Sequence, residues 1–242
     1  MRTVEKVYPP YPLNKFPKEF GYNLGKELIY LLATKGHPSL EGKEWEEIFA
    51  ICINAKWTPS NVGLDDVVLG NCAWGAKTVK ARKPSEIASV RLISGRNSPI
   101  YSYGETKITD VDPSSLGVQI LSIWNERVSA IRRKFMHARN VVLIKSETLD
   151  EVAVFEFETI RYDPELFNWA WNRNNNLEGY DGAGAHRFTW QPHGSQFTIV
   201  EKVPYERLIV RINIPHTIEK DAFLQRIGFD KDWITIINRN DR

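Results

Sequence analysis

Cysteine is nearly absent from this 242-residue chain, which has only Cys52 and Cys72. Two thiols cannot build the multi-bridge framework of a small secreted domain or the four-ligand cysteine site of a structural zinc module. Long apolar runs are also lacking. Stretches such as 28–33 and 141–144 fall far short of the ~20 residues a membrane-spanning helix needs. The opening MRTVEKVYPPYPLNKF has no apolar run of the kind that directs export, so the expectation is a soluble cytoplasmic protein with no membrane partner. An excess of one charge is missing too: 32 basic and 30 acidic residues leave a formal net charge of +2. That balance excludes a polybasic tail protein, though not a nucleic-acid binder whose charges are segregated. There is no phosphate-binding glycine loop, and HGSQF (193–197) lacks the glycine pattern of a serine hydrolase.

What remains is an ordinary globular composition, 42% hydrophobic and 26% charged, at a length that suits one large domain over 1–242. After a proline-rich arm, Phe20, Leu24, Leu28, Leu31 and Leu32 mark a helix over 17–35. Trp45, Ile48, Phe49, Cys52 and Ala55 form the stripe of a second helix over 43–55. Two β-rich runs, 62–69 and 72–81, flank Gly70-Asn71, a hairpin signal. A third strand is expected at 90–95, a long helix at 114–138 and a buried strand at 140–146. Strand signals recur at 152–161, 186–191, 196–202 and 207–214, with a helix at 217–227. Between them, 171–187 has the composition of a long functional loop. The expected class is α/β, with a mixed central sheet flanked by helices. Its core would span about 43–146, with additional strands and loops over 147–242.

The hairpin carries the chemistry. A two-residue turn at Gly70-Asn71 sets Val67 opposite Trp74 and Asp66 opposite Gly75, so Asp66 and Lys77 share a face as diagonal neighbours roughly 7–8 Å apart at Cα. Asp65 points to the other face, and a slip of one residue would exchange the two aspartates. A carboxylate can hold a divalent cation, which offsets phosphate charge and lowers the pKa of bound water. A lysine beside it can orient that water or stabilise developing charge. Oxygen ligands without cysteine favour magnesium over zinc. A surface hairpin with ordinary charges would carry the same residues.

The order of helix, hairpin with Asp66 and Lys77, third strand, long helix and buried strand resembles the αβββαβ core of the PD-(D/E)XK nuclease superfamily. Within that superfamily, GLDDVVL and WGAKTVK look most like a type II restriction endonuclease. The resemblance implies a magnesium-dependent phosphodiesterase, with Asp66 as metal ligand, Lys77 as catalytic lysine and the carbonyl of Ala76 as a further ligand. The sequence departs from the pattern at Gly75, where the family places its second acid. Some members take that acid from the preceding helix, which here offers Glu44, Glu46 and Glu47. The Trp45-Glu46…Phe49 arrangement looks like theirs, which assigns Glu46 to catalysis and metal binding. Helical geometry alone leaves Glu44 equally eligible.

Basic residues cluster in two segments. Residues 72–107 carry a net +5, and 127–145 a net +6 with no acid. Lysines and arginines of this kind neutralise phosphates, whereas directed donors and acceptors read bases. Lys80, Arg82 and Lys83 are the expected phosphate contacts. In the loop SGRNSP, Arg96, Asn97 and Ser98 have chemistry suited to guanine and adenine edges, although Asn97 could equally cap its own turn. The segment 171–199 adds Arg173, Asn174, Arg187, Gln191, His193, Ser195 and Gln196 as further candidate readers.

The resulting expectation is a type II site-specific deoxyribonuclease cutting double-stranded DNA with Mg2+. Palindromic recognition would favour a homodimer, with monomers also known in the family. A restriction enzyme also implies a cognate DNA methyltransferase in the host, without a stable complex. The alternative is a catalytically inactive DNA-binding protein on a nuclease-like fold, which Gly75 motivates.

Overall fold

The structure is a computed structural model, which describes residues 8–58 and 63–237. Two helices come first. The helix α1 (Lys18–Lys35) follows Pro17 and buries Phe20, Leu24, Leu28, Leu31 and Leu32. The helix α2 (Gly42–Cys52) opens on a reciprocal capping box between Glu41 and Glu44 and buries Trp45, Ile48 and Phe49. The first stripe is that expected from helical spacing; the second helix ends at Cys52, so Ala55 of its expected stripe lies beyond it.

Three strands follow: β1 (Lys56–Trp57), β2 (Val67–Leu69) and β3 (Cys72–Lys80). The β2–β3 register is Val67↔Trp74, Val68↔Ala73 and Leu69↔Cys72, as a two-residue turn dictates. Gly70 supplies the positive φ of 56° that this turn needs. Val62, where the first run was expected to begin, lies outside the described residues.

The chain then runs through β4 (Ser89–Arg96), α3 (Pro99–Tyr103), α4 (Pro113–Lys134), β5 (His137–Lys145) and β6 (Glu151–Glu158). Beyond these lie β7 (Phe167–Trp171), β8 (Leu177–Asp181), β9 (His186–Gln191), β10 (Gln196–Lys202), β11 (Leu208–Arg211) and α5 (Lys220–Arg226).

These strands form two sheets among the described residues. The first is mixed, in the order β1-β2-β3-β5-β6-β11, with β3 parallel to β5 and its other pairs antiparallel. The second is antiparallel, in the order β4-β10-β9-β8-β7. One face of the first sheet carries α1 and α2, where Leu24, Leu28, Trp45 and Phe49 pack on Trp74, Val141 and Val154. On the other face, Val90 and Leu92 of β4 meet Val142, Ile144 and Phe155. The helix α4 packs on the second sheet through Leu116, Ile120 and Trp124 against Trp169, Phe188, Trp190 and Phe197. Strand β5 is buried on both faces, which accounts for its unbroken apolar run.

Three expectations are corrected. The strand at 90–95 forms but belongs to the second sheet, and Lys56–Trp57 takes the place beside β2. The segment 171–187 is no long loop. Its residues run along β7–β9 as a meander with tight turns, because Asn172 and Asp181 each accept backbone N–H bonds that close those turns. The long helix ends at Lys134, since the apolar stripe stops at Ile131 and Phe135 is already extended. No helix among the described residues is long and apolar enough to cross a membrane.

Candidate active site

Strand β2 begins at Val67, and Asp66 just before it continues the pairing with β1, its carbonyl accepting the Thr58 N–H at 2.8 Å, while its side chain turns toward β3. The Asp66 Oδ2 accepts a hydrogen bond from the backbone N–H of Ala76 at 3.0 Å and lies 4.0 Å from Lys77 Nζ. Lys77 in turn donates to the carbonyl of Gly63 at 3.0 Å. Asp65 points elsewhere. Its carbonyl accepts from Thr58 Oγ1, while its Oδ1 is buried with no hydrogen-bond partner among the described residues.

Asp66 is 2% exposed. Burial pushes its carboxyl up to about 6, against the opposing pull of Lys77 and the Ala76 N–H, with Glu46 and Asp65 adding to the rise. Burial likewise lowers the Lys77 ammonium from its usual range, while Asp66 and Glu46 hold it up and Arg127 lowers it further. The pair is thus a strongly desolvated carboxylate beside a desolvated amine, a combination that concentrates at functional sites.

Position 75 explains the departure from the acid-X-lysine pattern. A β-carbon on Gly75 would sit 2.6 Å from the Gly63 carbonyl oxygen, 2.8 Å from Asn140 Oδ1 and 3.3 Å from the Leu64 α-carbon. The 63–64 segment fills the space that a side chain would use. An acid cannot stand there without displacing the backbone that holds Lys77.

The three helix glutamates separate clearly. Glu44 closes the capping box and bonds Lys35 at 2.7 Å, and Glu47 is exposed. Glu46 alone acts electrostatically on both Asp66 and Lys77. Trp57 Nε1 orients it, donating to its Oε2 at 3.0 Å. In a strand the N–H and C=O of one residue point to the same edge, so the Ala76 carbonyl faces the Asp66 side with its N–H.

The groups that could hold a cation are therefore the carboxylates of Asp66 and Glu46 and the Ala76 carbonyl. No cluster of three or more His, Cys, Asp or Glu side chains with metal-site geometry occurs among the described residues. Magnesium asks for less, commonly one or two carboxylates with water and phosphate oxygens completing its shell. The buried, under-compensated Asp66 suits a site that gains a positive charge.

Arg127 is the residue the sequence did not single out. It projects from α4, donates to the Ser94 carbonyl at 2.7 Å and to Asn97 Oδ1 at 3.3 Å, and lies over the Trp124 ring. Through it the end of β4 is joined to the electrostatics of Lys77. Only its membership of a basic segment marked it beforehand.

The candidate DNA contacts divide. Gln196 pairs with both Arg96 and Gln191, and the Ser195 carbonyl accepts the Asn97 N–H. The β7–β8 turn carrying Arg173 and Asn174 projects at the same end of the sheet, because Leu177 pairs with Trp190, next to Gln191. Arg96, Gln191, His193, Gln196, Arg173 and Asn174 thus line one end of the second sheet. Asn97 does not join them. It is fully buried, with Nδ2 donating to the Ile120 carbonyl and its own carbonyl accepting from Trp190 Nε1. Ser98 is the N-cap of α3 and accepts from the Tyr101 N–H. Ser195 is a turn residue at φ 52°. Arg187 lies at the opposite end of the sheet, 3.8 Å from both Asp181 and Glu201.

Lys80 faces away from Lys77, across the sheet beside Lys145, whereas Arg82 and Lys83 are exposed and Lys83 pairs with Glu86. Half of the six basic residues of segment 127–145 are turned inward or partly covered, namely Arg127, Arg139 and Lys145. Arg127 is bound as above, Arg132 donates to the Thr159 carbonyl, Arg139 pairs with Glu156 and Glu158, and Lys145 bonds the Leu40 carbonyl. Only Arg133 and Lys134 of that segment are left on the surface without such a partner among the described residues.

No family model, curated protein or solved structure matches this chain.

Proposed function

We propose that the chain is a divalent-metal-dependent endonuclease acting on double-stranded DNA, of the type II restriction kind. The observation that carries this reading is the triplet of Asp66, Lys77 and the Ala76 backbone at the end of a short hairpin strand, approached by Glu46 from α2. The order α2-β1-β2-β3-α4-β5, with β5 parallel to β3, supports a nuclease-like αβββαβ core in which β4 is diverted to the second sheet.

Asp66, Glu46 and the Ala76 carbonyl would hold Mg2+, which neutralises phosphate charge and makes bound water more acidic. Lys77 Nζ, tethered by the Gly63 carbonyl, presents its remaining protons to the attacking water and to a non-bridging phosphate oxygen. Arg127 adds positive potential beside it. The polar end of the second sheet, with Arg96, Gln191 and Gln196, offers donors and acceptors to base edges.

The test is incubation with phage DNA in magnesium or EDTA. Discrete fragments are expected in magnesium alone, with activity falling at least ~100-fold in Asp66→Ala and Lys77→Ala and persisting in Asp65→Ala. Glu46→Gln separates the helix acid from Glu44→Gln, which retains activity. DNA binding with no cleavage under any divalent metal would overturn the enzyme and leave a DNA-binding protein.

A further inference from the structure

Beyond β11 the chain passes beside the end of α1 and then leaves the body. The N–H of Ile218 bonds the carbonyl of Ala33. From Asn213 to Ile237 only Pro215 and Leu224 are even partly covered. This arm is rich in large apolar side chains: Phe223, Ile227, Trp233, Ile234, Ile236 and Ile237 are 44–84% exposed. It nevertheless has ordered internal structure. Helix α5 is closed by the Ile227 N–H on the Phe223 carbonyl, and the Phe229 and Trp233 rings pack edge-on at 5.8 Å. Monomeric proteins rarely expose a contiguous apolar patch beyond roughly 300–600 Å².

The body carries a second uncovered apolar surface. Between α1 and the edge strand β11 runs a groove lined by Gly21, Tyr22, Gly25, Ile29, Ile209 and Val210. Its charged rim is Lys18, Lys26 and Arg211, the last already bonded to Glu151 at 2.8 Å. The arm has a net charge of −1, from Glu219, Asp221, Asp230 and Asp232 against Lys220, Arg226 and Lys231. Strand β11 has β6 as its one neighbour, so its outer edge is also open. The arm starts where the groove ends, since Leu208 lies against Gly21, Val210 against Gly25 and Thr217 against Gly36. The chain therefore runs along α1 and carries the arm past the end of its own groove.

We propose that two copies exchange these arms, each laying the apolar face of 219–237 into the α1–β11 groove of the other. The occupant is a second copy because one chain carries both halves of an apolar pair, a weakly acidic arm and a groove rimmed by Lys18 and Lys26, and its own arm is directed away. Reciprocal exchange is closed and two-fold. In such an exchange each copy contributes its arm and the groove that receives the other, which together reach the ~20–30 residues a side of a stable interface. The inference is independent of the nuclease reading.

Light scattering on the eluting full chain tests it. The expected mass is twice 27.9 kDa. Trp233→Asp with Ile234→Asp on the arm, and Ile209→Asp with Tyr22→Asp in the groove, are each expected to give monomers with unchanged circular dichroism. Placing Ile209→Cys on one chain and Ile234→Cys on another makes any 209–234 disulfide intermolecular, and mixing them under oxidant is expected to yield a cross-linked pair. A wild-type monomer at tens of micromolar, a dimer that survives the arm substitutions, or a 209–234 bond formed only when both cysteines share one chain would overturn the proposal.

Discussion

Asp66 is held in surroundings that resist its ionised form, and this has a measurable cost. A rise from the ordinary 3.8 to about 6 corresponds to about 3 kcal/mol. Between those values the folded chain keeps a proton that the unfolded chain has released. Stability therefore falls as pH rises through that window, and the deficit is complete above it. Asp66→Asn removes the ionisable group while keeping an acceptor for the Ala76 N–H. The rise is already net of the Lys77 pair, so the expected stabilisation at pH 8 approaches about 3 kcal/mol, reduced by about 1–2 kcal/mol for burying the amide Nδ2. The gain is lost toward pH 4, and urea titrations at the two pH values check it. A variant less stable than the parent at pH 8 would mean that Lys77 and the Ala76 N–H outweigh desolvation. Such a trade is the expected signature of a residue kept for chemistry at the expense of stability.

At the scale of elements, the short hairpin was legible to the residue. Gly70-Asn71 forces one register, and the register places Asp66 and Lys77 together. Helical geometry did not make the glutamate legible, because Glu44 and Glu46 flank Trp45 symmetrically on a helical wheel and the resemblance alone pointed to Glu46. Only the capping box, which engages Glu44, and Trp57, which reaches Glu46, separate them. Strand β4 shows what periodicity omits. Alternation identifies a strand but is silent about which sheet receives it, and the same polar chemistry serves recognition or internal structure. Asn97 and Arg96 are adjacent and opposite in this respect. Asn97→Ala breaks its side-chain bonds to the Ile120 carbonyl and Arg127 and is expected to cost about 1–3 kcal/mol in chemical denaturation. Arg96→Ala is expected to leave the midpoint within about 0.5 kcal/mol. It should weaken DNA binding and lessen its salt dependence, or relax sequence preference if the arginine reads a base. Unaltered binding in Arg96→Ala would remove that end of the sheet from the interface.

Over the whole molecule, the two sheets are threaded through each other. The chain builds β1–β3 in the first, β4 in the second, β5–β6 in the first, β7–β10 in the second, and β11 in the first again. No single cut separates them. Urea unfolding followed by tryptophan fluorescence and by circular dichroism is therefore expected to give superimposable single transitions, with refolding in the slow, millisecond-to-second range of non-local β topologies. Two resolved transitions would show that the sheets unfold separately. The near-neutral total charge also reads differently at this scale. Arg127, Arg139 and Lys145 of the basic segment 127–145 are turned inward and Arg132 is bonded to the Thr159 carbonyl, so electrostatic attraction to a polyanion comes from fewer residues than the sequence count implies.

That threading also sets when the site comes into being. Strand β4 has one neighbour, β10, and the Arg96–Gln196 pairing joins residues synthesised far apart. A chain still emerging from the ribosome can form the hairpin that carries Asp66 and Lys77. It cannot yet secure the β4 end that braces Arg127, nor the sheet that covers Leu64. The surroundings of Asp66 and Lys77 are thus completed only after β10 has been made.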